Sequence, residues 1–296
     1  MEASRDTWTR ELCTCYTVNC CVSYTQLPRR RATPLPKNPV EGGRNVPANK
    51  ESNRDPGAAL ALLWGEGDSR PRRGPKPKFT PVQVARRGIE IADAEGLEAL
   101  SMQRVAELLG LTTMALYRYV PGKPALVDLM VDTVLSDPPD LDRVPGNWRT
   151  RLEAWARACW DVYRAHPWIL TATGLRRQAM GPHQVAWLDA ALAALEPTGL
   201  TARRRHDAAI LVMSLVRSLT QTALDSTEQG HEEWDRLTAH QLTTHADRFP
   251  ALTRAATEGA FDTADEDPLT FGLTCVLDGI QRLVTLAAGA QGDGSR

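Results

Sequence analysis

The sequence predicts an all-α protein, and three observations carry that prediction. From Thr80 onward apolar residues recur at three- and four-residue spacing, the period of one helix face. The segments so marked begin at start signals, Thr80-Pro81, Ser101 and Pro124, and stop at Gly96 and Gly110. The apolar-rich runs around Ile210 to Val216 and Phe271 to Ala287 keep the same spacing. The predicted arrangement is a disordered leader over residues 1–69, a small helical unit preceded by a basic arm over 70–123, and a larger all-helical domain over 124–296.

The leader holds Pro34, Pro36, Pro39, Pro47 and Pro56 with little periodicity, the composition of a chain that buries no core. Cys13, Cys15, Cys20 and Cys21 lie in it without a nearby His and without zinc-finger spacing, so no metal site is expected. It shows no basic segment followed by an apolar run, and nowhere do 18 apolar residues follow one another, so the protein is expected to be cytoplasmic and to have no membrane partner. Charge is divided unevenly. Residues 70–123 hold ten Lys/Arg against five Asp/Glu, a balance of +5, and residues 124–296 hold 16 against 23, a balance of −7. Within the basic part, Arg70, Arg72, Arg73, Lys76 and Lys78 form a Pro/Gly-interrupted arm, suited to lie along phosphates or enter a minor groove.

The first helix opens on Thr80-Pro81-Val82-Gln83, a capping box with proline at the first helical position. Val84, Ile89, Ile91 and Ala92 give its apolar side, and Glu95-Gly96 closes it before Leu97 and Leu100. Ser101 caps a second helix from about Met102 to Leu109, ended by Gly110. A third starts at Thr112 or Thr113. With Leu116 and Val120 turned inward, Thr113, Met114, Ala115, Tyr117, Arg118 and Tyr119 remain on its outer and N-terminal surfaces. Two helices joined by a short glycine-containing turn make a helix-turn-helix, whose second helix enters a major groove. Pro121-Gly122-Lys123-Pro124 then turns the chain into a fourth helix reaching about Ser136, with Lys123 at a helix N-terminus where a phosphate oxygen fits.

Residues 79–136 resemble the DNA-binding domain of the TetR family of one-component bacterial repressors. The resemblance rests on Ala92, Ala94 and Gly96 around the end of the first helix, on Leu-Ser-Met-x-x-Val-Ala entering the second, on Leu-Tyr-x-Tyr-Val in the third and on Gly-Lys-x-x-Leu opening the fourth. It implies that Gln103, Thr113, Met114, Ala115 and Tyr119 face bases or the groove wall, and that Thr112, Tyr117 and Lys123 grip phosphates. Pro121 stands where the family's loop carries a polar residue. Met114 and Ala115 offer no hydrogen-bonding side chain, which shifts base discrimination toward Gln103, methyl contacts and DNA shape.

From Trp148 the chain is helical and long enough for a second core. Leu152, Trp155, Ala156, Cys159 and Tyr163 form one stripe, broken by His166-Pro167. A helix from about Pro182 to Leu195 turns Val185, Leu188, Leu192 and Leu195 inward. Ala202 to Leu224 and Phe271 to Ala287 read as buried on more than one side, and Cys159 and Cys275 as core residues. WRxxLxxWA, HPW and the final Phe-Gly-Leu segment resemble effector domains of actinobacterial tetracycline-repressor-like regulators, in which the last two long helices pair across a two-fold axis. The expected homodimer seam is residues 203–224 with 268–288. Trp155, Tyr163, His166, Trp168, Trp187 and Met213, with Trp160 and Met180 nearby, are the candidate lining for a small apolar or aromatic effector.

The sequence holds no Ser/His/Asp set, HExxH, Walker loop or telling pair of carboxylates, and Asp265-Glu266-Asp267 reads as a solvated loop, so no enzyme and no cofactor are expected. The expected function is a homodimeric, sequence-specific DNA-binding transcriptional regulator, released as a repressor from a palindromic double-stranded operator by a small ligand. The alternatives are a ligand-independent DNA-binding protein and an activator.

Overall fold

The computed structural model describes residues 56–65, 78–174, 179–225, 237, 240–242, 244–260 and 267–293. It is all-α, with no strand among the described residues. In chain order the helices are α1 (Pro56–Leu63), α2 (Pro81–Glu95), α3 (Met102–Leu108), α4 (Thr113–Leu116), α5 (Lys123–Val134), α6 (Trp148–Ala165), α7 (Trp168–Gly174), α8 (Pro182–Leu195), α9 (Ala202–Asp225), α10 (Pro250–Thr257) and α11 (Pro268–Asp293).

The local signals act as chemistry requires. Thr80 Oγ1 accepts from the Gln83 N–H at 3.2 Å while the Thr80 N–H donates to Gln83 Oε1 at 2.8 Å, the reciprocal pair that starts α2. Ser101 Oγ accepts from the Arg104 N–H at 3.2 Å and starts α3. At the far end of α3, Gly110 takes φ +63°, which lets its own N–H reach Glu107 O at 3.0 Å and the Leu111 N–H reach Ala106 O at 2.9 Å. That paired closure turns the chain sharply into α4, and a side chain at Gly110 would strain it.

Two apolar cores result. The first gathers Val84, Ile91, Leu100, Val105, Leu116 and Val120 from α2 to α4 around Leu126, Val127 and Met130 of α5, together with Trp168, Ile169 and Ala172 of α7. The second packs Leu152, Trp155 and Cys159 of α6 with Trp187 and Leu195 of α8, Val212 and Val216 of α9, and Leu273 and Leu277 of α11. Leu135, Val162 and Tyr163 touch both. Helix α5 is buried from Ala125 through Asp132 because α1, α2, α7 and α8 all pack on it.

Four expectations need correction. Pro56–Leu63, placed in the disordered leader, is helical. Its Ala/Leu sequence buries Ala59 and Leu63 against the first core, and Trp64 Nε1 donates to Met180 O at 3.0 Å. Cys275 is exposed, unlike buried Cys159, and Val185 is likewise exposed. Helices α9 and α11 are buried on one side only in the single chain: Leu211, Phe271, Leu283 and Leu286 are exposed. Asp267, expected in a solvated loop, is exposed and lies just before α11, where it pairs with Arg157 at 3.2 Å and accepts from the Leu269 N–H at 3.2 Å. The four leader cysteines, Asp265 and Glu266 lie outside the described residues.

Candidate nucleic-acid interface and its connection to the second core

The surface opposite the first core is set by the phase of α4. Leu116 and Val120 are fully buried, so Met114, Tyr117 and Arg118 project outward and are exposed. Thr112 caps the helix, its Oγ1 accepting from the Ala115 N–H at 3.2 Å, and Thr113 and Ala115 are half-buried beside it. On α3, Gln103 is exposed and donates through Nε2 to Glu107 Oε1 at 2.9 Å. Arg104 is paired with Glu95 at the surface. The hydrogen bond from Arg104 holds the Glu95 carboxyl below the usual carboxylate range.

Tyr119 is half-buried and meets Phe79 edge-on at 6.5 Å, and Lys78 lies over the same Phe79 ring at 5.4 Å. This stack fastens the end of the basic arm to the residue that follows the recognition helix. Arg72 and Arg73 lie outside the described residues. Lys123 is the first residue of α5, where Gly122 supplies no side-chain cap and Pro124 has no N–H, so a basic group stands at a helix start without a side-chain partner for its backbone.

The far end of α5 is bonded to the second core. Asp132, buried, accepts from the His183 and Gln184 N–H groups at 3.0 and 3.1 Å and lies 2.9 Å from His183 Nδ1. It thus caps α8 from another helix, which explains why Gly181 precedes that helix: a Cβ there would fall 2.2 Å from Asp132 Cγ. Trp187 Nε1 donates to Leu135 O at 2.9 Å, just past the end of α5, and Trp155 Nε1 donates to Trp187 O at 2.8 Å. A second connection runs to α2. Asp93 Oδ1 accepts from Trp168 Nε1 at 2.7 Å and lies 2.7 Å from His166 Nδ1.

The structure therefore divides the aromatic set. Trp155, Trp160 and Trp187 belong to the second core, with half-buried Met213 and Tyr163 against it, while Trp168 belongs to the first and His166 is tied to Asp93. Arg217 of α9 lies 6.0 Å over the Tyr163 ring, donates to Leu170 O at 3.0 Å and bonds Thr173 Oγ1. Burial pushes the Tyr163 hydroxyl and the Cys159 thiol above their ordinary ionisation ranges. Sequence reasoning missed Asp93, Asp132 and Arg217. Asp132 had a signal, a carboxylate within the apolar run Val127 to Val134, and so did α8, which starts at Gly181-Pro182 with no capping side chain of its own. Asp93 and Arg217 had none.

The fold and this surface define a class: a helix-turn-helix DNA-binding transcriptional regulator whose reading unit is bonded to a second helical domain. Over residues 139–284 the chain matches the family described as the tetracyclin repressor-like C-terminal domain. It is 37% identical over 258 residues to the HTH-type transcriptional repressor DrrR1 of Streptomyces coeruleorubidus, a match covering 83% of this chain and 93% of that one. Apo ActR of Streptomyces coelicolor superimposes with a TM-score of 0.61 at 25% identity, covering 73% of this chain and 100% of that one. ActR in complex with actinorhodin gives 0.58 at 26% identity, covering 69% and 96%. The chain belongs to the TetR family of transcriptional regulators, which are not enzymes.

Proposed function

We propose that the protein is a homodimeric repressor that holds an inverted-repeat operator and releases it when a small apolar or aromatic ligand enters the second domain. The observation that carries this reading is α5. Its first residue, Lys123, opens the helix that follows the recognition helix in the chain, and its far end is bonded through Asp132 and Leu135 to His183, Gln184 and Trp187 of α8. In this reading a ligand that displaces the Trp155–Trp187 pair shifts α8, and the bonds from Asp132 and Leu135 to α8 carry that shift to α5 and the reading unit. That ActR has been solved with actinorhodin supports a ligand-responsive reading, and the repressor name of the Streptomyces coeruleorubidus relative supports repression.

Dimerisation is supported by the bare outer face of α9 and α11, where Phe271 is 72% and Leu286 60% exposed. Pro268–Gly289 is also long and apolar enough to cross a membrane by length and composition. We assign its open face to a second copy in the cytoplasm, because Leu269, Leu273, Leu277 and Ile280 on the same helix pack into the second core. Arg72, Arg73, Gln103, Thr112, Thr113, Met114, Ala115, Tyr117, Tyr119 and Lys123 form the DNA-contact set of this proposal, in which two copies place recognition helices about 34 Å apart or a multiple of that. The division at residue 123 separates the DNA-reading part from the effector part in function, although α5 itself lies in the first core.

The test is selection of bound sequences from a random duplex pool by the full chain, with light scattering on the same sample. An enriched inverted repeat bound by a dimer supports the reading. A monomer, or a pool without enrichment, overturns it.

A further inference from the structure

Met114 of α4 and Arg118, in the turn just beyond it, are exposed on the side away from buried Leu116 and Val120. Met114 is 78% exposed, the highest exposure of any large apolar side chain in the described structure. Gln103 gives one amide N–H to Glu107 and Arg104 is paired with Glu95, while Arg118 and Tyr117 are exposed beside Met114, so hydrogen bonding to base edges falls to those neighbours and Met114 itself adds only an apolar contact. Half-buried Ala115 extends the same apolar surface. In the major groove the base edges are hydrogen-bonding atoms apart from the flat C5–H of cytosine and the C5-methyl of thymine, and the methyl is the one apolar group that projects into the groove. A thioether side chain presented there has that single group to bury itself against.

We propose that Met114 selects thymine in each operator half-site by packing against the C5-methyl group. The inference rests on the operator reading above and names one of the bases it requires. Replacing thymine by deoxyuridine tests it directly, because the swap removes the methyl group and leaves the hydrogen-bonding edges unchanged. The probe is the duplex enriched by the full chain, resynthesised with deoxyuridine at each thymine in turn.

At one thymine per half-site the swap is expected to weaken binding about fourfold, the factor for roughly one buried carbon, and about sixteenfold when both half-sites carry it. Met114→Ala, which at so exposed a position leaves the melting temperature unchanged, is expected to bind the thymine duplex correspondingly less well and to lose the distinction between thymine and deoxyuridine there. Deoxyuridine tolerated at every position overturns the proposal. So does a deoxyuridine penalty of the same size in Met114→Ala, which would mean that another side chain reads the methyl. Failure to enrich any sequence removes the operator reading itself, and the role of Met114 with it, and is distinguished from the other two because no probe is then obtained.

Discussion

Single side chains in this protein are separable by what their polar atoms already do. Lys123 has no ion pair among the described residues, so its charge is available to a phosphate. Lys123→Ala is expected to weaken binding to all duplexes alike and to reduce the slope of log affinity against log salt by roughly one for each chain that binds, measured by fluorescence anisotropy from low to moderate salt. Gln103→Ala is expected instead to alter which bases are preferred, and a uniform loss across sequences would remove Gln103 from base reading. Burial sets the chemistry of Cys159 in the opposite way. Its thiol ionises well above the ordinary range in the folded state, whereas the unfolded chain ionises near pH 8.5. The folded state therefore retains the proton longer, and this contribution to stability is complete below about pH 8.5 and is lost as pH rises above it. Between pH 8.5 and 10 the wild type should lose stability more steeply than Cys159→Ala, by at most about 1.4 kcal/mol per pH unit, as urea unfolding at several pH values would show.

Among the helices, α5 and α8 depend on each other. Asp132 supplies the cap that α8 lacks, and the two backbone N–H groups it holds lie at a part-buried helix start. Asp132→Ala is expected to cost about 1–3 kcal/mol, the range for losing a cap together with a buried acceptor. Asp132→Asn, which retains one acceptor oxygen, should lose less. A denaturation midpoint unchanged in Asp132→Ala would show that the bonds contribute nothing net. Gly181→Ala probes the same joint from the other side, because its Cβ would overlap the Asp132 carboxyl, so α8 must move away and the midpoint should fall. The Asp93 link to His166 and Trp168 predicts an effect of another kind. Asp93→Ala frees α7 from α2, and the ligand-free protein should show altered operator affinity with the helix-turn-helix still folded, as measured by anisotropy alongside circular dichroism.

At the scale of the whole molecule, the open face of α9 and α11 decides the assembly. Phe271→Asp places a charge within the proposed seam, and sedimentation is expected to show a monomer with operator affinity lowered at least a hundredfold, because one helix-turn-helix makes too few contacts to hold a site alone. Cys275 lies one turn beyond Phe271 and is exposed in the single chain. Its alkylation should therefore slow as protein concentration rises if the seam closes over it. A rate independent of concentration would place the dimer contact elsewhere.

Most of the fold was legible in the sequence because helix starts and stops are local. The Thr80–Gln83 box, the Ser101 and Thr112 caps and the Gly110 turn join residues no more than five apart, and each forms as its residue types require. The same locality exposed the helix-turn-helix, the phase of α4 and the basic balance ahead of α5. What the sequence hid is of one kind. Helix α1 gains its stability by docking on α5, Asp132 caps a helix 51 residues away, and Asp93 binds side chains 73 and 75 residues away. Whether Cys275 faces core or solvent depends on which of two apolar sides of α11 meets the second core. Periodicity reports that a helix has an apolar side but is silent about which partner covers it, so the sequence determined the helices and the DNA-reading unit, and only the tertiary structure decided how the two cores are bonded together and which face stays open.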